Sequence, residues 1–79
     1  MRAKELIDHQ KIRPFQPFRV IMNDGKTYDV RHPELIKVTK TTLLYFYADD
    51  KGEIDRWKAI SVLLIETIVH IDAAAAAAG

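Results

Sequence analysis

The chain has 79 residues, with 12 Lys and Arg against 11 Asp and Glu, a formal net charge of +1, and 48% hydrophobic residues. This composition excludes an intrinsically disordered chain, which has low hydrophobicity or high net charge, and the length excludes a multidomain enzyme. There is no cysteine, so no disulfide can support the small core. A metal ion or self-association would be the remaining sources of extra stability.

The sequence indicates neither a targeting signal nor a membrane span. Four charged residues among the first ten leave no apolar core for a signal peptide. The most apolar stretch, residues 60–71, is interrupted by polar residues and is too short to cross a bilayer. We therefore predict a cytoplasmic protein without a membrane partner, folded as a single domain over residues 1–72. The alanine-rich residues 73–79 fit no pattern and are interpreted as a tag-like tail.

The first element is a short helix, predicted over residues 2–11, with Leu6 and Ile7 on one side. A helix of this length is not stable alone in water, so it must dock either on its own sheet or on a neighbouring molecule. The following segment, Arg13-Pro14-Phe15-Gln16-Pro17-Phe18, is expected to be extended because residues before proline avoid helical conformations. In that conformation both phenylalanine rings would cap one edge of the core.

A β-hairpin is predicted next. Apolar and polar residues alternate over 18–23, which is typical of a half-buried strand. Asp24-Gly25 predicts a type I′ turn, whose two central residues have positive φ. The second strand is expected over 26–39, with Tyr28 and Val30 inward and a break at residues 32–34, because Pro33 cannot donate a hydrogen bond to a sheet.

The remaining strands follow at short intervals. Residues 42–48 are almost continuously apolar and predict a central strand, and a hairpin loop at 49–52 leads to a strand over 53–58. The spacing over 59–71 fits both a helix and a strand. Its isoleucines and valines favour a tight turn at 59–63 and a strand over 64–71. The expected fold is mainly β, a small five-stranded SH3-like or Sm-like barrel with a short N-terminal helix.

The sequence contains no arrangement of residues that indicates catalysis. Ser61 is the only serine, and no glycine-rich loop could bind a phosphate group. His32 with Glu34, and His70 with Asp72, could each share one face of a strand, but the close histidine spacing of common metal sites is absent. We predict a protein that is not an enzyme, with no catalytic residues, no cofactor and no metal.

The aromatic run Tyr45-Phe46-Tyr47 supports two interpretations. If one face of this strand belongs to the core, the other is either an interface between molecules or a platform on which bases stack. The first interpretation predicts a homo-oligomer, or a complex with a protein partner. Its candidate interface residues are Tyr45, Tyr47, Ile65 and Ile68. The alternative predicts a small RNA-binding protein. Its candidate contacts are Arg19, Arg31, Tyr45, Arg56 and Lys58.

Two resemblances accompany these residues. The R-P-F-x-P-F segment at 13–18, Asp24-Gly25 and His32-Pro33-Glu34 together resemble a family of short uncharacterised bacterial proteins, which implies membership but no activity. The order of one helix and five bent strands is similar to the Sm-like fold of the bacterial RNA chaperone Hfq, and implies a ring-like assembly. Residues 57–61, Trp-Lys-Ala-Ile-Ser, are similar to the Tyr-Lys-His-Ala-Ile-Ser of that family. The histidine is missing here, in the region that lines the uridine-binding pore of that family.

Overall fold

The computed structural model describes residues 1–71, so the predicted tail at 73–79 lies outside the described residues. One helix precedes six strands, two of which follow single turns of 3-10 helix. In chain order the elements are α1 (Ala3–Lys11), β1 (Phe18–Met22), β2 (Thr27–Val30), a 3-10 turn (Pro33–Leu35), β3 (Ile36–Val38), β4 (Thr42–Ala48), β5 (Ile54–Ser61), a second 3-10 turn (Val62–Leu64) and β6 (Ile65–His70).

The strands form two three-stranded antiparallel sheets. Sheet A has the order β2-β1-β6 and sheet B the order β3-β4-β5. The mainly β class and the central position of β4 are confirmed, but no closed five-stranded barrel is found within residues 1–71. The predicted strand 26–39 is interrupted close to its predicted break at residues 32–34, by a 3-10 turn over Pro33–Leu35 that separates β2 from β3. Proline has no N–H for a sheet ladder, and the two halves join different sheets.

The inward faces of both sheets share one core with the helix. Phe18, Val20 and Met22 are buried at alternate positions of β1, which confirms the predicted alternation. Leu6 of α1 is fully buried in the same cluster, so the helix docks on its own chain. Phe15 packs against this cluster, with its ring centroid 5.9 Å from that of Phe18. The two rings of the 13–18 segment therefore meet at the edge of the core, as the sequence predicts.

The predicted type I′ turn after β1 is wrong. Gly25 has a φ of +90°, but no other kind of residue within 1–71 has positive φ, and a type I′ turn requires two positive φ values. The Gly25 N–H donates to the Met22 carbonyl at 3.0 Å, the pattern of a type I turn completed by a glycine bulge. Gly52 repeats it with a φ of +81° and a 3.0 Å hydrogen bond to the Asp49 carbonyl.

The last turn lies further along the chain than the sequence predicts. Strand β5 extends to Ser61, because its pairing with β4 continues to Thr42. The turn then occupies Val62–Leu64, where the Val62 N–H donates to the Thr41 carbonyl at 3.0 Å. Only the valine of this turn enters the core. The turn therefore begins three residues later than the predicted turn at 59–63.

Candidate functional site

Three tyrosines and a lysine line an open cleft at one end of the core. Along β4, Tyr45 and Tyr47 follow the buried Leu43 on the inward face of sheet B. Pairing with β5 places Lys58 opposite Tyr45 and Arg56 opposite Tyr47, so both cations lie on the same face. Strand β2 of the other sheet contributes the third tyrosine. The resulting cleft, of about 330 Å³, is called the tyrosine cleft and is lined by Tyr28, Tyr45, Tyr47 and Lys58.

The three rings of the tyrosine cleft form a row, with Tyr45 between Tyr47 and Tyr28. Tyr45 and Tyr47 are stacked, with centroids 5.9 Å apart and planes at 24°. Tyr28 meets Tyr45 at 5.4 Å and 59°. The ammonium group of Lys58 lies 5.3 Å from the centroid of Tyr28 and donates to its hydroxyl at 3.3 Å. This is a cation–π contact, which holds a positive charge at the wall of the cleft while the Tyr47 ring stays exposed.

Tyr45 is fixed at the base of the tyrosine cleft by a hydrogen bond. Its hydroxyl donates to the Asp29 main-chain carbonyl at 3.0 Å, which ties β4 of sheet B to β2 of sheet A. Burial raises the pKa of Tyr45, and the negative charge of Asp29 adds to the effect. The phenol therefore remains a hydrogen-bond donor at neutral pH. Tyr45 is half-buried and packs against the core, so its role in the cleft is to support Tyr47.

Two of the five predicted RNA contacts belong to a different group of charges. Arg19 donates to both carboxylate oxygens of Asp29, at 2.7 and 3.2 Å, and Arg31 donates to the same carboxylate at 3.5 Å. The hydrogen bond from Arg19 lowers the pKa of Asp29, which keeps the carboxylate ionised. Arg19 is also opposite Asp29 on the outward face of sheet A. The structure therefore brings together only Tyr45, Arg56 and Lys58 of the predicted set.

A second surface lies on the outward face of sheet B. The residues that alternate with Leu43 and Tyr45 point away from the core, and Phe46 lies directly opposite Trp57. Trp57 is 62% exposed, and Ile54, beyond a bulge in β5, is 55% exposed. We call this surface the tryptophan face, formed by Leu44, Phe46, Ile54 and Trp57. The sequence predicts an interface on the outer face of β4 but assigns it to Tyr45 and Tyr47. Phe46 occupies that face instead, opposite Trp57, which was not among the predicted interface residues.

The four predicted interface residues do not form one surface. Ile65 is only 2% exposed and Ile68 packs against the core, because pairing with β1 sets them beside the buried Met22 and Val20. Both lie in sheet A, whereas Tyr45 and Tyr47 lie in sheet B. Burial therefore removes Ile65 from any exposed surface. Of the four, Tyr47 has the most exposed side chain, at 36%.

The histidines of the two predicted pairs belong to no larger group of possible metal ligands within residues 1–71. Within residues 1–71, no group of three or more His, Cys, Asp or Glu side chains is placed to hold a metal ion. Asp72, the expected partner of His70, lies outside the described residues. No helix in the described part of the chain is long and apolar enough to cross a membrane.

Comparison with known proteins identifies no relative of this chain. Neither a scan against protein-family models nor searches of curated proteins and of solved structures find a match.

Proposed function

We propose that the protein is a non-enzymatic interaction module that self-associates through the tryptophan face. The observation that carries this proposal is the exposure of Trp57, which lies opposite Phe46 and outside the core. Burying an aromatic side chain against a partner is strongly favourable, because such side chains bury about 150–250 Å² each. Trp57, Phe46 and their aliphatic neighbours form an apolar surface of the kind that marks an interaction site.

Opposite charges at the two edges of sheet B favour a second copy of the chain as the partner of this surface. Lys37 lies on β3 opposite Leu44, at one edge of sheet B. Asp55 lies on β5, at the other edge, and both side chains are exposed. When two copies face each other about a two-fold axis, the lysine edge of one copy can lie over the aspartate edge of the other. The apolar residues then meet in the centre, as in the core of a homodimer interface.

Pairing of the free β5 edges is the less favourable way to join two copies. Arg56 and Lys58 share one face of β5. A two-fold pairing of β5 with its own copy would place these cations close to the same cations of the partner, and like charges at opposing strand positions are destabilising. Charged side chains on an edge strand commonly prevent such pairing. Face-to-face packing of sheet B therefore agrees better with the charges than edge-to-edge pairing.

Replacement of Trp57 by glutamate tests the proposal. Trp57→Glu places a charge at the centre of the contact, so the native mass measured by light scattering should fall to that of a monomer at concentrations where the parent protein is a dimer. The fold should persist, because Trp57 makes no contribution to the buried core.

Thr67→Glu is the matched control, because it adds the same charge to an exposed position of sheet A. It should keep the parent mass. A monomeric parent protein, or equal loss of mass in both variants, would contradict the tryptophan face as the contact. A ring of more than two copies would instead favour the ring-like assembly that the Sm-like resemblance implies.

Binding of single-stranded RNA is a second candidate function, supported by the tyrosine cleft. The exposed Tyr47 ring offers a stacking surface for a base, and Lys58 and Arg56 lie on the same face to meet phosphate groups. The pairing of β1 with both β2 and β6, around one shared core, also supports an Sm-like arrangement as part of this proposal. The net charge of +1 makes this candidate weaker than self-association.

Fluorescence anisotropy with a labelled oligouridylate, measured at low and at moderate salt, tests this candidate function. Binding at the tyrosine cleft should weaken steeply with salt. Tyr47→Ala should cost about 1–3 kcal/mol, the value of one stacked base. Lys58→Ala should weaken binding more than Lys11→Ala, which removes the same charge from helix α1. Binding that is insensitive to salt, or equal effects of the two lysine variants, would count against the cleft.

A further inference from the structure

We propose that His9 and His70 together bind one divalent transition-metal ion, with Zn²⁺ as the natural probe. The two residues are far apart in the sequence: His9 lies in α1 and His70 at the end of β6. Docking of the helix brings their ring centroids to 5.2 Å, with the planes at 52°. Neither belongs to the tyrosine cleft or to the tryptophan face, so this proposal does not depend on the proposed function.

The separation of the rings matches that of two ligands on one ion. Zinc binds an imidazole nitrogen at about 2.0–2.1 Å in tetrahedral geometry, which places the centroids of two liganding rings about 5.2 Å apart. The observed separation is the same. Packed aromatic rings commonly lie about 4.5–7 Å apart, so this spacing permits a shared ion but does not require one.

The polar atoms of His9 provide a second observation. Its Nδ1 is buried without a hydrogen-bond partner, the one side-chain polar atom of this kind found within residues 1–71. A buried nitrogen without a hydrogen-bond partner is costly, and a bound cation would satisfy it. His9 also lies in the last turn of α1, where the helix dipole favours positive charge. The Phe18 ring also packs against the His9 ring, with centroids 5.4 Å apart.

The ion would act as a clip between α1 and sheet A. The described residues offer no third protein ligand, so water completes the coordination from the side of His70, which is exposed. Such a site binds the metal reversibly, and the stability that it adds grows with the logarithm of the metal concentration once that concentration exceeds the Kd. A domain of this size has a small core and no cysteine, so a metal clip at its helix is a physically useful addition.

Calorimetric titration of the whole chain with zinc chloride tests the proposal. The parent protein should bind one ion per chain in a saturable manner, and zinc should raise its Tm. His70→Ala should weaken binding by at least about tenfold, since loss of a group that only supports a ligand already costs 10–100-fold. His70 is exposed on an edge strand, so this variant should fold, and its Tm should no longer respond to zinc.

His32→Ala is the matched control, because it removes an exposed histidine that lies outside the pair. It should keep the parent affinity, whereas His9→Asn should lose it. In the NMR spectrum of the parent, zinc should shift the ring signals of His9 and His70 and leave those of His32 in place. The proposal is overturned by the absence of saturable binding, by unchanged binding in His70→Ala, or by an equal loss in His32→Ala.

Discussion

Phe18→Ala is expected to lower the free energy of unfolding by about 3–5 kcal/mol, the usual cost of removing a fully buried phenylalanine ring. Phe18 has no exposed surface and packs against the rings of Phe15 and His9. The core of so small a domain rarely provides more than about 3–5 kcal/mol in total. We therefore expect most molecules of this variant to be unfolded at 25 °C, as measured by far-ultraviolet circular dichroism and urea titration.

Phe15→Ala is the control, since it removes the same ring three residues earlier in the same extended segment. Phe15 is only half-buried, so its removal leaves a hollow that water can enter and should cost clearly less than removal of Phe18. Equal losses would show that the two rings act as one unit. The expected inequality would mean that the second phenylalanine of the R-P-F-x-P-F segment is a core residue and that the segment has a structural role.

Local sequence patterns predicted most of the elements, but they identified the inward face of only some of the strands. The alternation in β1 identified Phe18, Val20 and Met22 as one face, and the burial of all three confirms it. In β4 nearly every residue is apolar. The alternation therefore shows that Tyr45 and Phe46 lie on opposite faces, but not which of the two faces the core. Packing of sheet A over sheet B makes that choice, and it depends on contacts between residues far apart in the chain.

The same reason explains the misplaced interface residues. Ile65 and Ile68 lie in a stretch that fits both helical and strand spacing, so the sequence does not show which of its residues face the core. Their pairing with Met22 and Val20 in β1 does. The proximity of His9 and His70 was equally invisible, because it requires both the docking of α1 and the pairing of β6. Sequence patterns therefore predict elements better than they predict sites.

Leu6→Ala should cost about 2–5 kcal/mol, the range for removing most of a buried leucine side chain. Leu6 is the one fully buried residue of the nine-residue helix α1. A helix this short has little stability of its own, and the mutation leaves a cavity beneath it. We expect the helical signal and the sheet to be lost in a single transition, with a urea midpoint well below that of the parent, when circular dichroism is followed during denaturation.

Ile12→Ala, at the end of the helix, separates the effect of burial from that of removing an aliphatic side chain. Ile12 is 40% exposed, so this variant should unfold close to the parent midpoint. Both variants should be measured at two protein concentrations. If α1 docks within its own chain, the loss caused by Leu6→Ala is the same at both, because no partner is released. A loss that disappears on concentration would mean that the helix packs on a neighbouring molecule, and would contradict the docking of Leu6 in the core of its own domain.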